Sequence, residues 1–489
     1  MAKKIPLIPA EPYNGPMTFP PPAGVTLNNT NSSTSVPPHP PVLCTGALAD
    51  GIEDSWLEYV PEELPGGKKP PLIISCHGGG ATAEVQFAET TWWSICEAEG
   101  AVAVFPNAGG EARAWITGAV PPGEPRRAMP DIFTESPDGR VSEDNHHIKF
   151  VRALIGEMKK KYDIDEGRVY MQGMSMGDIM TMMFSRVCGD LLAAADCTAG
   201  PTPGVALFNG DGSLKGFKCP VPMYQSRGDL DAVIPGGDGT FTRQDANAEN
   251  REFWLKVNEC DPLPRLSIIG VNNFAFYSGK KANVVFRDVK YRGHGQTLDD
   301  AHWAWETLFR YCRRNSDGSV TCADSPFSAY GDVGAAAIVD GGAFAYVNNH
   351  RVRLEAPVFS EVLTNFNFAT HETEEVKRDL YVPVSALAQI FGGSVESTQE
   401  GKGAVILTDE GLECEVVSES VACLHGGFMR AMFTPARFRD GVLSVPLRWF
   451  AEEVYGKHVT ECEGALYLSD HHGEMSLDMA YLLKSLLLG

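Results

Sequence analysis

The run Val169-Tyr170-Met171-Gln172-Gly173-Met174-Ser175-Met176-Gly177-Asp178 decides how this chain is read. Residues 169–172 form a short apolar strand, 173–177 a turn of the pattern G-x-S-x-G, and 178–188 a helix. A G-x-S-x-G match alone means little, but strand, tight turn and helix in that order are the context it needs. Such a turn leaves no room for side chains two positions before and two after the serine. The serine then projects from the carboxyl edge of a sheet, with a helix N-terminus behind it. Ser175 is therefore the candidate nucleophile.

Outward from this point, strands alternate with helices over residues 44–315. Strands are expected at 55–61, 71–76, 101–105, 169–172, 223–226 and 284–291. Helices are expected at 92–99, 148–162 and 178–188, with a closing helix at 299–313. Alternation of this kind implies an α/β fold with a mostly parallel central sheet covered on both faces. Residues 1–43 hold 11 of the 33 prolines and read as an extended N-terminal arm. Residues 316–340 read as a linker.

With 489 residues, 43% hydrophobic and 21% charged, the chain has ample material for a core and is long enough for two or three domains. A net charge of −22 makes it a poor non-specific binder of nucleic acid or of an anionic membrane. No apolar run is long enough to span a membrane. The start Met1-Ala-Lys-Lys is basic, but prolines at 6, 9 and 12 follow it instead of an apolar stretch, so no signal peptide is expected. On that reading the chain is cytoplasmic if complete. The 12 cysteines form no C-x-x-C pair and no zinc spacing. Most read as buried thiols; Cys260 with Cys312 is the candidate disulfide.

A serine nucleophile needs a base, and the base needs an orienting carboxylate. After Ser175, two histidines lie in this region. His294, in Tyr291-Arg292-Gly293-His294-Gly295, follows a strand in a glycine-rich loop and is the preferred base. His302 sits in the closing helix and reads as structural. The loop Gly228-Asp229-Leu230-Asp231 after the 223–226 strand supplies the carboxylate. Asp231 is preferred to Asp229 because it lies deeper in the loop. The Arg-Gly-Asp tripeptide at 227–229 reads as chance. Donors for a developing oxyanion are expected from the backbone N–H of Met176 and from Gly79 or Gly80 in His77-Gly78-Gly79-Gly80. His77 itself reads as a structural hydrogen-bonder. Trp115 and Trp92 are candidate stacking surfaces for a substrate ring. The Gly/Pro-rich stretch 109–139 is a candidate lid.

Taken together, Leu57-Glu58-Tyr59-Val60-Pro61, the segments 71–80 and 100–106, Tyr162-Asp163-Ile164-Asp165, Arg168-Val169-Tyr170, the elbow 173–177, the loop 228–235 and Gly293-His294 resemble the polyhydroxybutyrate depolymerase and feruloyl esterase group of α/β-hydrolases. The resemblance covers residues 50–315 and implies hydrolysis of carboxylic esters, small or polymeric: polyesters, feruloylated or acetylated polysaccharides, and aryl esters. It carries the triad onto Ser175, Asp231 and His294 and implies no cofactor. This chain departs from the group's pattern in three places. Asp178 stands where a second glycine is common, Arg227 where a histidine usually precedes the glycine, and the tryptophan-proline after the base is missing. A serine peptidase or lactone hydrolase on the same fold is the alternative reading. A non-catalytic surface protein with a degenerate hydrolase domain is the reading from outside enzymology.

After residue 340 the texture changes to short strands and turns with an internal repeat. Leu380-Tyr381-Val382-Pro383 precedes an alanine-containing helix and the strand 404–407, and Leu443-Ser444-Val445-Pro446 precedes a helix and the strand 465–468. Residues 341–473 thus read as a smaller duplicated α+β domain, and 474–489 as a helical tail. The repeat resembles the stalk-like module of copper amine oxidases, which carries no copper, and its histidines show no metal-ligand spacing. That resemblance implies a secreted or cell-surface protein, against the missing signal. The leucine-rich tail is expected to dock on a core or to join a second copy of the chain.

Overall fold

The computed structural model describes residues 10–12, 33–64, 66–109, 113–116, 143, 145–231 and 242–488. They fall into two units. The first comprises Met1–Pro262 and Ala275–Ala329, and the second Leu263–Phe274 and Tyr330–Gly489.

In the first unit eight strands lie side by side. They are β1 (Val42–Ala49), β2 (Ile52–Tyr59), β3 (Leu72–Cys76), β4 (Val102–Pro106), β5 (Val169–Met174), β6 (Ala194–Thr198), β7 (Met223–Gly228) and β8 (Val284–Val289). The order across these eight strands is β8-β7-β6-β5-β3-β4-β2-β1. Strands β4, β3, β5, β6, β7 and β8 run parallel, and β2 and β1 add an antiparallel edge. Every residue of β3 through β8 is buried, as strands covered on both faces by helices must be. The helices are α1 (Ala83–Glu89), α2 (Trp92–Glu99), α3 (His146–Tyr162), α4 (Met176–Cys188), α5 (Arg243–Val257) and α6 (Asp300–Thr307). Thr242 starts α5 with a reciprocal capping box through Asp245, two donors satisfied at one end.

Three expectations change here. The closing helix is shorter than its apolar pattern suggests. It ends at Thr307, and a single turn, Phe309–Tyr311, leads into the strand Cys312–Arg314. That strand pairs with Val320–Cys322, which brings Cys312 opposite Cys322 and joins them as a disulfide. Cys260 is a free thiol, so the Cys260–Cys312 pairing is wrong. The stretch 316–340 is also no plain linker, since it carries Val320–Cys322 and the strand Ala336–Val339. Of the lid candidate 109–139, all but Gly109 and residues 113–116 lies outside the described residues.

In the second unit the repeat begins one strand earlier than residue 341. Each half contributes a three-stranded meander, a strand ending in Val-Pro, a short helix and a closing hairpin. The first meander, Ala336–Val339, Phe344–Val347 and His350–Arg353, pairs with the closing hairpin of the second half, His458–Cys462 and Ala465–Ser469. Conversely, the second meander, Glu413–Val417, Ala422–His425 and Phe428–Ala431, pairs with Ser394–Thr398 and Gly403–Leu407 of the first. The two Val-Pro signatures meet in the middle with Tyr381 opposite Pro446, Val382 opposite Val445 and Pro383 opposite Ser444, a local two-fold arrangement. The halves therefore exchange hairpins, and neither can close its own sheet. Both meander turns carry two successive left-handed residues, Asn348-Asn349 and Gly426-Gly427, as tight two-residue hairpins require. The tail helix Leu477–Leu487 buries Met479, Leu482, Leu483 and Leu487 within this unit. Its apolar face is thus already used, which removes the basis for expecting it to join a second copy.

Candidate active site

The site begins with the backbone of Ser175, held at φ 56° and ψ −114°. Holding a non-glycine residue there is costly and persists only where the surroundings enforce it. The neighbours show how. A Cβ on Gly173 would lie 1.9 Å from the Gly177 carbonyl oxygen, and one on Gly177 would lie 2.2 Å from that of Cys76. A third glycine, Gly200, was not singled out by the sequence; a Cβ there would lie 2.2 Å from the Ser175 carbonyl oxygen. The Ser175 N–H donates to the Thr198 carbonyl at 2.8 Å, tying the elbow to the end of β6.

Three strands then deliver three side chains at their carboxyl ends. Ser175 follows β5, Asp231 follows β7, and His294 follows β8. The His294 Nε2 lies 2.9 Å from Ser175 Oγ, and its Nδ1 lies 3.0 Å from Asp231 Oδ2 and 3.2 Å from Oδ1. With Asp231 nearly fully buried, the tautomer protonated on Nδ1 leaves Nε2 free to accept from the hydroxyl. The other candidates sit elsewhere. Asp229 is paired with Lys290 at 3.2 Å. His302 lies 3.0 Å from Ser94 Oγ, and burial lowers its pKa. Arg227 and Asp229 are both buried, so the Arg-Gly-Asp tripeptide presents no adhesive face.

The loops bearing Asp231 and His294 are laced together by backbone. Asp229 N–H donates to the Val289 carbonyl at 2.9 Å and Leu230 N–H to that of Arg292 at 2.8 Å. Gly228 allows this approach, because a Cβ there would lie 2.5 Å from the carbonyl oxygens of Arg292 and Gly293. Buried side chains then fix His294 from both sides. Arg292 donates to both Asp300 oxygens at 2.9 Å and to Ser226 Oγ at 2.7 Å. Gln296 donates to Gln86 at 3.1 Å and accepts from Gln172 at 3.3 Å, while Gln86 donates to Gln172 at 3.0 Å. This ring of three glutamines joins α1, β5 and the loop of His294. Sequence reading missed it because isolated glutamines carry no spacing signal.

Beside Ser175, the N–H groups of Met176 and Gly79 have no acceptor among the described residues. A Cβ on Gly79 would lie 2.7 Å from Met176 Sδ, so a side chain there would push the Met176 thioether aside. Gly80 differs, because its N–H donates to the Arg113 carbonyl at 3.0 Å. Of the two glycines, Gly79 is thus the one whose N–H has no acceptor among the described residues. His77 anchors the loop as a neutral ring. Its Nδ1 lies 2.7 Å from the Gly78 carbonyl, its Nε2 accepts from Ala108 N–H at 3.0 Å, and burial pushes its pKa down to about 4.

Neither tryptophan offers a stacking surface, which corrects both assignments. Trp115 is fully buried, donates to the His77 carbonyl at 2.8 Å and packs against the rings of His77 and His147. Trp92 is buried too, stacked on Phe309 with its indole N–H toward Gln172. An aromatic near a motif in sequence is more often core than cleft, and the packing makes it so here.

No family model matches the chain. Among curated proteins it is 29% identical over 177 residues to the bifunctional acetylxylan esterase/xylanase XynS20E of Neocallimastix patriciarum, covering 36% of this chain and 21% of that protein. It is 25% identical over 268 residues to feruloyl esterase B of Piromyces equi, covering 51% of this chain and 44% of that one. It is 28% identical over 151 residues to the poly(3-hydroxybutyrate) depolymerase of Ralstonia pickettii, covering 29% and 27%. The matches thus span less than half the length of these relatives. Among solved structures, the acetyl xylan esterase from Aspergillus awamori aligns over 54% of this chain and 98% of its own, with TM-score 0.41 and 15% identity. The parallel sheet and strained serine elbow of the present chain are those of an α/β-hydrolase fold, and the curated relatives it matches are named as an acetylxylan esterase/xylanase, a feruloyl esterase and a poly(3-hydroxybutyrate) depolymerase.

Proposed function

We propose that this chain is a serine carboxylic-ester hydrolase that works through an acyl-enzyme on Ser175. The observation that carries the reading is the continuous line from Ser175 Oγ to His294 Nε2 at 2.9 Å and from His294 Nδ1 to Asp231 at 3.0 Å. Ser175 Oγ attacks the ester carbonyl while His294 takes its proton. The carbonyl oxygen becomes an oxyanion facing the N–H groups of Met176 and Gly79. Asp231 stabilises the imidazolium. The tetrahedral species collapses as His294 protonates the leaving alkoxide, and the alcohol departs. Water then attacks the acyl carbonyl as His294 accepts its proton, and the second oxyanion collapses, breaking the bond to Ser175 Oγ while His294 returns the proton to it and the acid departs.

The substrate proposal is an acetyl- or feruloyl-type ester of a polysaccharide, or a polyester, and it rests on what the matched relatives are named for. With Trp92 and Trp115 buried, no aromatic stacking argument selects a feruloyl group over an acetyl group. A fluorophosphonate with intact-mass readout tests the reading: one phosphonyl group should add to the chain, and a peptide map should place it on Ser175. An ester panel graded by acyl group then sets specificity. A chain that neither takes up the probe nor turns over any ester would end the proposal.

A further inference from the structure

Two of the positions where this chain departs from the pattern it resembles carry opposite charges, and the fold brings them together. Asp178 lies in the first turn of α4, three residues beyond Ser175. Arg227 lies near the end of β7, four residues before Asp231. Both are fully buried, and Asp178 Oδ2 is 2.9 Å from Arg227 Nη1. Each reaches further into the site's supports. Asp178 Oδ2 accepts from the Gly200 N–H at 3.0 Å, and Gly200 is the residue pressed against the Ser175 carbonyl. Arg227 donates to the Cys197 carbonyl of β6 at 2.6 Å, to its neighbour Ser226 at 2.9 Å, and to Asn247 of α5 at 3.0 Å.

We infer that Asp178 and Arg227 are a pair of positioning residues that clamp the nucleophile elbow to the strand carrying the triad acid, holding Ser175 and Asp231 at the separation His294 bridges. This rests on the esterase reading above. Stability alone is a poor reason for such a pair. Desolvating two charges offsets most of their attraction, and apolar side chains of similar size often serve as well. A charge pair does have direction, however. One carboxylate meeting one guanidinium fixes the register of two elements, where an apolar contact tolerates sliding. The elements joined here bear the two ends of a hydrogen-bonded line, and a displacement of ~1 Å in such a line can cost ~100-fold in rate.

The test uses the full chain with three variants: Asp178→Asn, Arg227→Gln and the double variant. The double leaves no lone buried charge, so it keeps the question open if Arg227→Gln fails to fold. Steady-state rates on a short aryl acetate, well below each melting temperature, should show kcat lowered by about 10- to 100-fold in each single variant, with KM within about two-fold. The double should fall no further than the worse single, because the pair acts as one device. Arg227→Lys keeps the charge but loses the multiple fixed donors, and should recover part of the loss. Folded variants with lower melting temperatures but parental kcat would overturn the inference, leaving a merely structural pair. Additive losses in the double would overturn the coupling. If the parent chain itself fails to react with fluorophosphonate, it is the esterase reading that fails, whatever the variants do.

Discussion

The two units bury very different things. The first places Arg186, Arg227, Arg287, Arg292, Asp178, Asp196, Asp288 and Asp300 in its interior together with the rings of His77 and His147. The second is closed by an apolar cluster that includes Ile338, Val347, Val382, Leu387, Ile406, Val445, Leu447, Phe450 and Leu466, and its buried charged residues among those described are the carboxylates Asp332, Asp379 and Asp478, with no arginine. Burying a charge is costly unless it is paired, and each pair must be met from a fixed direction. A fold that accepts that cost gains side chains and backbone held at set angles, as at Ser175. A fold that buries few charges closes mainly through apolar residues and tight turns. The contrast teaches where chemistry is expected: in the region that buries charges of both signs around a serine held at φ 56°.

The largest effect should come from the strained serine. Ser175→Ala should fold normally and lose about 10⁴- to 10⁶-fold in ester turnover, the range for a triad nucleophile. Purified variant with parental turnover would remove Ser175 from the chemistry and erase the contrast between the units. His294→Ala should lose nearly as much, since triad members act as a unit, whereas His302→Ala should lower the melting temperature more than kcat. The reverse ranking would move the base to α6.

A core substitution in the second unit should behave in the opposite way. Leu466 and Leu387 are both fully buried in its apolar cluster. Leu→Ala at either should destabilise by about 2–5 kcal/mol, the cost of lost burial plus a cavity. The kcat of the folded enzyme on a short aryl acetate should stay within about two-fold. A large drop in kcat at unchanged fold would show that this unit contributes to the site.

What could be read in the sequence follows the same division. The elbow was legible because two glycines and a serine at fixed spacing have a steric cause that is local. The repeat was legible because Val-Pro signatures recur, although their pairing across a two-fold, and the exchange of hairpins, are not local facts. Strand β6 went unread: Ala-Ala-Asp-Cys-Thr is short, has one β-branched residue, Thr198, at its end, and contains an acid. Helix α5 went unread because its exposed face is strongly polar and few apolar positions mark its buried side. The disulfide partner was missed because Cys322 lies in a stretch read as linker. The assignment of Leu263–Phe274 to the second unit could not be foreseen, since its ties form across long stretches of chain, as in the Leu266 N–H donating to Tyr346 Oη at 3.0 Å. The Asp178–Arg227 pair had one sequence signal: both residues break the same pattern, with opposite charge.

The smallest predicted effect concerns a buried ring that takes no part in the reaction. His147, in the first turn of α3, accepts from the Ile116 N–H on Nδ1 at 2.9 Å, and burial pushes its pKa down to about 4. An exposed histidine titrates near 6.5. Between those two values the unfolded chain binds a proton that the folded chain refuses, so stability rises with pH across the window and is lost on acidification. One such proton corresponds to a slope of about 1.4 kcal/mol per pH unit. His77 acts in the same direction, while Glu89, raised to about 7 by burial, acts in the opposite one, so the total slope is a mixture. The difference between parent and variant isolates one ring. His147→Asn keeps an acceptor oxygen for Ile116 and removes the titration. Denaturant unfolding at several pH values should give a variant whose stability falls less steeply than the parent's between about pH 6.5 and 4, by up to about 1.4 kcal/mol per unit. Parallel curves would mean that His147 titrates alike in both states, and that the first unit's interior opens to water where its packing says it is closed.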